Sequence, residues 1–221
     1  MSEQPVDVML SAHEARVLGC LMEKQMTTPE YYPLTLKALT AACNQKSSRV
    51  PVMSLSEGQV GGVINGLRTQ GLVTARMDGR ADRFEHHLSR KLGITTKERA
   101  VLCVLMLRCL LTLNEIRINT SRMVTFETAE ELQEVLDGLI ARDEPLVVRI
   151  PRAPGQREDR FAHLLCGEPD IATAPPANTT ASPAPSSGNA SAERITQLEN
   201  EVAALRAELD HLYELTGFPK S

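Results

Sequence analysis

The sequence predicts a mainly α-helical protein with small β-hairpins, in which one structural plan is used twice. Two hexapeptides, RFEHHL at 83–88 and RFAHLL at 160–165, share four letters at matching places. Matched runs of apolar residues at helical spacing precede each of them. After the second copy, residues 168–192 consist almost entirely of Pro, Ala, Ser, Thr, Asn and Gly, and a heptad pattern follows.

The first helix of copy one starts at Ser11 with Glu14 three residues on, a capping-box spacing. It runs through Val17, Leu18, Leu21 and Met22; Thr95, Glu98, Val101, Leu102, Leu105 and Met106 repeat this in copy two. A second helix is expected near 34–43 and 112–122. A third starts at Ser56 and at Thr128, both with boxed spacing, and VINGL (63–67) answers VLDGL (135–139). Gly71 reads as the cap that ends one third helix, and Pro145 forbids continuation of the other. LVTAR (72–76) and LVVRI (146–150) read as strands, each followed by a turn-rich span and then by one of the hexapeptides. There Phe84, His86 and Leu88, like Phe161, His163 and Leu165, alternate with the residues between them. Three helices and a hairpin make the winged-helix plan. The expected organisation is a winged-helix domain at 10–91, a second at 92–167, a flexible linker at 168–192 and a coiled-coil helix at 193–215.

Charge is distributed unevenly. Residues 1–167 hold 21 Lys and Arg against 20 Asp and Glu, whereas residues 168–221 hold 3 against 8. The body is close to neutral and lacks a strongly basic footprint for nucleic acid. The most apolar window, 100–113, is too short to span a bilayer, and the opening MSEQPVDVML does not read as a signal peptide. Five cysteines without a C-x-x-C pair fit a reduced, cytoplasmic setting. No nucleotide loop, H-E-x-x-H or metal-type Cys/His spacing is present, so neither an enzyme nor a cofactor or metal is expected. His86 and His163 read as packed structural histidines, and His87 as facing outward.

In a helix-turn-helix module the third helix enters the major groove, and a wing can reach phosphate or minor groove. The third helix of copy one, 57–70, is nearly uncharged and offers Gln59, Asn65 and Arg68, with Asn and Gln suited to adenine edges. Lys46, Arg49, Arg76 and Arg80 add positive charge around it, as does Arg83. The loop NQKSSRVPVMS (44–54) reads either as a binding loop or as an insert packed through Pro51, Val52 and Met53. In copy two, Arg149, Arg152, Arg157 and Arg160 give an arginine wing that either meets DNA or pairs with neighbours such as Glu158. Its helix 128–142 carries Glu130, Glu131, Glu134 and Asp137 and is a poor groove reader; the acidic face reads most simply as a solvated surface, or else as a surface for a basic protein partner. In the tail, Ile195, Leu198, Val202, Leu205, Leu209 and Leu212 form a heptad seam that favours a parallel homodimer. The alternative is an amphipathic helix packed on its own body.

Over about residues 10–167 the chain resembles the YceH-like family of uncharacterised bacterial proteins. The most specific stretches are EARVLGCLMEKQMTTPEYYPLTLKALTAACNQKSSRVPVM (14–53) and PLVVRIPRAPGQREDRFAHLLCGE (145–168). The resemblance implies tandem winged-helix domains but little about activity, since the family has no agreed biochemical function and no established catalytic residues. A departure at CLLTLNEIRINTSRM (109–123) leaves the start of the second helix of copy two open. The reading that follows is a non-enzymatic, dimeric, double-stranded DNA-binding or regulatory protein. The alternative is a protein-interaction scaffold resembling the tandem winged-helix subunit ScpB of chromosome-condensation complexes.

Overall fold

The computed structural model describes residues 8–78, 81–152 and 156–169, all within one compact unit that spans Met1–Ala174. The heptad positions, and all but the first two residues of the expected linker, lie outside the described residues. The described chain is mixed, with helices and two small antiparallel sheets.

Copy one runs α1 (Ala12–Thr27), β1 (Leu34–Thr35), α2 (Leu36–Cys43), α3 (Glu57–Thr69), β2 (Val73–Asp78) and β3 (Ala81–His86). A short α4 (Leu88–Lys91), with no counterpart in the sequence reading, leads into copy two. That copy runs α5 (Thr96–Arg108), β4 (Leu111–Thr112), α6 (Leu113–Thr120), α7 (Ala129–Ile140), β5 (Val147–Ile150) and β6 (Arg160–His163). The start of α6 at Leu113 resolves the boundary that the sequence left open.

The helix starts follow from their caps. Ser11, Ser56 and Thr95 close capping boxes with Glu14, Gln59 and Glu98 as expected. A further box, Thr112 with Glu115, opens α6. The box expected at Thr128 is only half made. Its side chain accepts from Glu131 N–H, but the Glu131 carboxylate accepts from the Glu127 N–H and pairs with Lys97. At the other end of α3, Gly71 adopts φ +70, its N–H reaches Arg68 O, and the Leu72 N–H reaches Leu67 O. That is a Schellman ending, and glycine takes the left-handed position without a Cβ penalty. Ser56→Ala removes the acceptor for one exposed helix-start N–H and is expected to lower stability by about 1 kcal/mol, read from urea unfolding.

Each expected hairpin is completed by a third strand. The orders are β1-β3-β2 and β4-β6-β5, with Leu34 opposite Phe84 and Leu111 opposite Phe161. This register explains the repeated hexapeptide. Phe84 and Phe161 are buried in the core. The preceding arginines each donate to the carbonyl that leads into the short strand: Arg83 to Pro33 O at 3.0 Å, Arg160 to Leu110 O at 3.2 Å. Arg160 lies 3.7 Å from the Glu115 carboxylate as well. One phrase thus supplies a core plug and a clamp on the third strand in each copy.

The copies pack through α1 and α5. Burial of every residue from Ala100 to Leu107 leaves that stretch of α5 without a solvent face, as a helix enclosed on several sides requires. A Cβ at Gly19 would stand 2.9 Å from Leu107 Cδ2, so glycine permits the close approach. Cys103 Sγ donates to Gly19 O at 3.3 Å, and Leu10 N–H donates to Leu165 O at 2.7 Å. No described helix is long and apolar enough to cross a membrane.

Candidate nucleic-acid interface

On α3, Val60, Ile64 and Leu67 face the core at positions i, i+4 and i+7. The opposite positions, Gly58, Gly62, Asn65 and Thr69, are therefore exposed, with Arg68 beside them. A Cβ at Gly62 would meet nothing within 4 Å, and one at Gly58 only Ser56 Oγ at 3.9 Å. Internal packing does not require glycine at either position. Asn65, Arg68 and Thr69 of α3, together with Val73, Thr74 and Ala75 of β2, line an open groove of about 560 Å³.

The predicted contact residues divide on their surroundings. Lys46, Gln59, Asn65 and Arg68 are exposed, although the Gln59 side chain is engaged by the Ser56 N–H in the helix cap. Arg76 stands on β2 beside this groove and pairs with Glu85 at 2.9 Å, its side chain still two-thirds exposed. Arg80 lies outside the described residues.

Arg49 is not a surface residue. Its side chain is fully buried, with Nη2 2.6 Å and Nη1 3.1 Å from the two Glu23 carboxylate oxygens. Its remaining donors reach Ala42 O at 3.1 Å and Ser48 O at 2.9 Å. The loop at 44–54 is thus an anchored insert, and its anchors are mostly polar. Arg16, also buried, donates to Cys43 O at 3.2 Å and Pro51 O at 2.7 Å. Asn44 clasps the far end of the loop, donating to Leu55 O at 2.7 Å and accepting from Leu55 N–H at 2.8 Å. Val52, expected to pack, is 56% exposed.

In copy two, Arg149 lies over the Phe161 ring, 5.5 Å from its centroid, and 3.4 Å from Asp137. Arg152 donates weakly to Arg157 O at 3.4 Å, its N–H donates to Asp159 at 3.1 Å, and both arginines are exposed. The acidic helix keeps Glu130 and Glu134 exposed, while Glu131 and Asp137 are paired.

The two histidines are neutral core groups. His86 Nε2 lies 2.9 Å from Gln25 Oε1, which also accepts from Arg99 at 3.0 Å, so the imidazole is the donor. Burial, and then the Arg99 charge, pushes its pKa down to about 4. Burial alone pushes His163 down to about 4. His87, half-buried, lies 2.9 Å from Thr74 Oγ1 at the rim of the groove. Among the described residues no group of three or more His, Cys, Asp or Glu is placed to hold a metal ion.

An exposed polar helix flanked by a sheet hairpin defines a small protein of mixed helix and sheet whose candidate site is a surface. The family model described as a protein of unknown function, DUF480, matches residues 10–156. A UPF0502 protein of Vibrio atlanticus is 42% identical over 217 residues, covering 95% of this chain and 98% of that protein. UPF0502 proteins of Geobacter sulfurreducens and Mesorhizobium japonicum are each 46% identical, covering 90% and 92% of this chain and 91% and 96% of theirs. The chain belongs to this DUF480/UPF0502 family of uncharacterised bacterial proteins, consistent with the resemblance read from residues 14–53 and 145–168.

Proposed function

We propose that the chain is a tandem winged-helix protein that binds double-stranded DNA without catalysing a reaction, and that it acts as a cytoplasmic homodimer through its heptad tail. The observation that carries this reading is the exposed face of α3 beside the groove it forms with β2. Asn65 and Thr69 present polar groups at the spacing of one helical turn, and glycines at 58 and 62 keep the same face low. Such a face suits close approach to base edges, with Arg68, Lys46 and Arg76 placed for phosphates. Arg152 and Arg157 on the second hairpin add a separate, sequence-independent contribution.

The test is binding to a mixed-sequence labelled duplex across a salt series. Affinity is expected to tighten as salt falls, with a slope worth several phosphates. Arg152→Ala with Arg157→Ala should flatten that slope by about two phosphates. Asn65→Ala should weaken binding to a selected site by about 1–3 kcal/mol while leaving the slope alone. Removal of the residues after Gly167 should reduce apparent affinity if the tail joins two sites. Flat traces at low salt would overturn the reading.

Copy two favours a second reading, a scaffold for a protein partner resembling ScpB. Its α7 exposes Glu130 and Glu134, and its most centrally placed arginine, Arg149, is occupied by Asp137 and Phe161. A hollow of about 390 Å³ lined by Leu92, Asp143, Glu144, Leu146 and Leu164 has the chemistry of a seat for a basic, apolar segment. Charge reversal at Glu130 and Glu134 that abolished capture of a partner, with duplex binding absent, would favour it.

A further inference from the structure

Strand β2 lies at the edge of its sheet, paired with β3 on one side only. Hydrogen-bonded and non-bonded pairs alternate along an antiparallel ladder, and the bond from His87 N–H to Leu72 O at 2.8 Å sets their phase. Thr74 and Arg76 therefore turn their N–H and C=O groups toward β3, whereas Val73, Ala75 and Met77 turn theirs outward. The same alternation points the His86 N–H away from β2, where it donates to Tyr32 Oη at 2.8 Å. The outward backbone groups of Val73, Ala75 and Met77 have no hydrogen-bond partner among the described residues.

The groove beside α3 follows this edge. Val73, Thr74 and Ala75 all border it, and consecutive strand residues point to opposite faces, so the space they share runs along the backbone. Its facing wall is Asn65, Arg68 and Thr69, neighbours on one exposed turn of α3. A helix wall opposite a free strand edge is the arrangement in which an extended peptide adds as a further strand. We propose that the α3–β2 groove takes an extended, acidic peptide segment of a partner protein. The segment pairs with the outward groups of β2 and sets its carboxylates against Arg68. Copy two shows the same edge closed. There β5 has only four residues, and the bond from Leu164 N–H to Leu146 O makes Val147 and Arg149 its outward positions. The next outward position is Pro151, which has no N–H to offer. Short length and proline both keep a sheet edge from pairing, and β2, with six residues, has neither device.

Charge selects the occupant. Arg68 is exposed, its guanidinium has no partner among the described residues, and none of the residues lining the groove is acidic. Glu85, on the same hairpin, already accepts from Arg76 at 2.9 Å and from Thr74 at 3.2 Å. Asp82 lies opposite Met77 on β3, one strand in from the edge. A second copy pairing through this edge would bring two Arg68 and two Arg76 side chains together, whereas an acidic strand meets attraction. Met77, 90% exposed, continues the line of Val73 and Ala75 and gives the added strand an apolar neighbour. The groove is also the face assigned above to duplex, so on that reading the peptide competes with DNA; strand addition itself does not depend on it.

The test uses full-length protein and two synthetic probes, an alternating Asp-Val octapeptide and its Lys-Val counterpart. With the Asp-Val peptide in excess, the Ala75 and Met77 amides should exchange with solvent deuterium at least ~10-fold more slowly, read by NMR. The Thr74 and Arg76 amides, already bonded to β3, should be unaffected. Anisotropy of the labelled Asp-Val peptide should show at least ~10-fold weaker binding to Arg68→Glu, a change at an exposed side chain. Methylating one alternate set of the peptide's amides should abolish binding and methylating the other set should not, because only one set faces β2. Equal binding of the Lys-Val peptide, or unchanged exchange at Ala75 and Met77, would overturn the proposal. So would protection of those amides that rises with protein concentration alone, the mark of a second copy. These readings involve no duplex, so they decide the proposal even where the salt series is flat. Where duplex does bind, the Asp-Val peptide should displace it, and a ternary complex would overturn the shared groove.

Discussion

Arg49→Ala is expected to lower the free energy of unfolding by about 3–5 kcal/mol, the range for removing one partner of a buried ion pair. The guanidinium has no solvent exposure and makes four hydrogen bonds, two to Glu23 and two to the carbonyls of Ala42 and Ser48. Its loss leaves the Glu23 carboxylate, 16% exposed, with only the Lys24 ammonium at 3.5 Å, and leaves the Ala42 and Ser48 carbonyls without that donor. Both costs are desolvation costs that water cannot readily repay. Arg49→Lys keeps the charge but loses the fork that grips both carboxylate oxygens, so it should recover only part of the stability. Glu23→Leu combined with Arg49→Met should do better than either single change, because an apolar pair of similar volume strands no charge. Urea unfolding followed by circular dichroism at neutral pH measures all of these variants. A loss below ~1 kcal/mol for Arg49→Ala would show that the loop is held by its apolar contacts after all.

Arg49 also shows where sequence reading stops. Its neighbours Lys46, Ser47 and Ser48 are polar, and a polar, basic loop next to a third helix reads as a surface that meets phosphate. The residue that buries it, Glu23, stands 26 positions upstream, and local pattern is blind to such a pairing. One signal was available: Arg16, Cys20 and Glu23 recur at helical steps on α1 among residues otherwise apolar, which marks a buried polar stripe. The repeated plan itself was legible, because caps and the 3.6-residue period are local: three of the four expected capping boxes close where Ser or Thr stood three residues before Glu or Gln. The two-residue strands β1 and β4 were not legible. Alternation needs more than two residues to be seen, and Thr35 and Thr112 serve at once as strand ends and as helix caps. The site follows the same division. Asn65 was legible as a contact candidate from its residue type on a nearly uncharged third helix, whereas the groove with β2 and the pairing of Arg149 with Asp137 required the fold.

Acid should destabilise the protein before its carboxylates titrate, and His86 and His163 are the main cause. Folded, the His86 pKa is about 4; unfolded, imidazole titrates near its ordinary 6.5. Between those values the unfolded chain binds a proton that the folded chain refuses, so stability falls as pH falls. Above about pH 6.5 the residue contributes no slope, and below about pH 4 none again. In the window it removes about 1.4 kcal/mol per pH unit, on the order of 3 kcal/mol across the whole span. His163, pushed down to about 4 by burial, has the same sign and window and shares the slope. The refusal has a structural reason: Nε2 already donates to Gln25, Nδ1 is buried without a partner, and Arg99 on the same glutamine repels a second positive charge. Glu14, held below the ordinary carboxylate value by its hydrogen bonds from Ser11 and Gln70 against the effect of burial, destabilises only at lower pH. Unfolding measured at pH 7, 5.5 and 4.5 therefore isolates the histidines. His86→Leu should remove about half of the slope in that window while costing the Gln25 hydrogen bond at every pH. An unchanged slope in the variant would place the acid sensitivity elsewhere and would mean that the folded state accepts a proton at His86 as readily as water does.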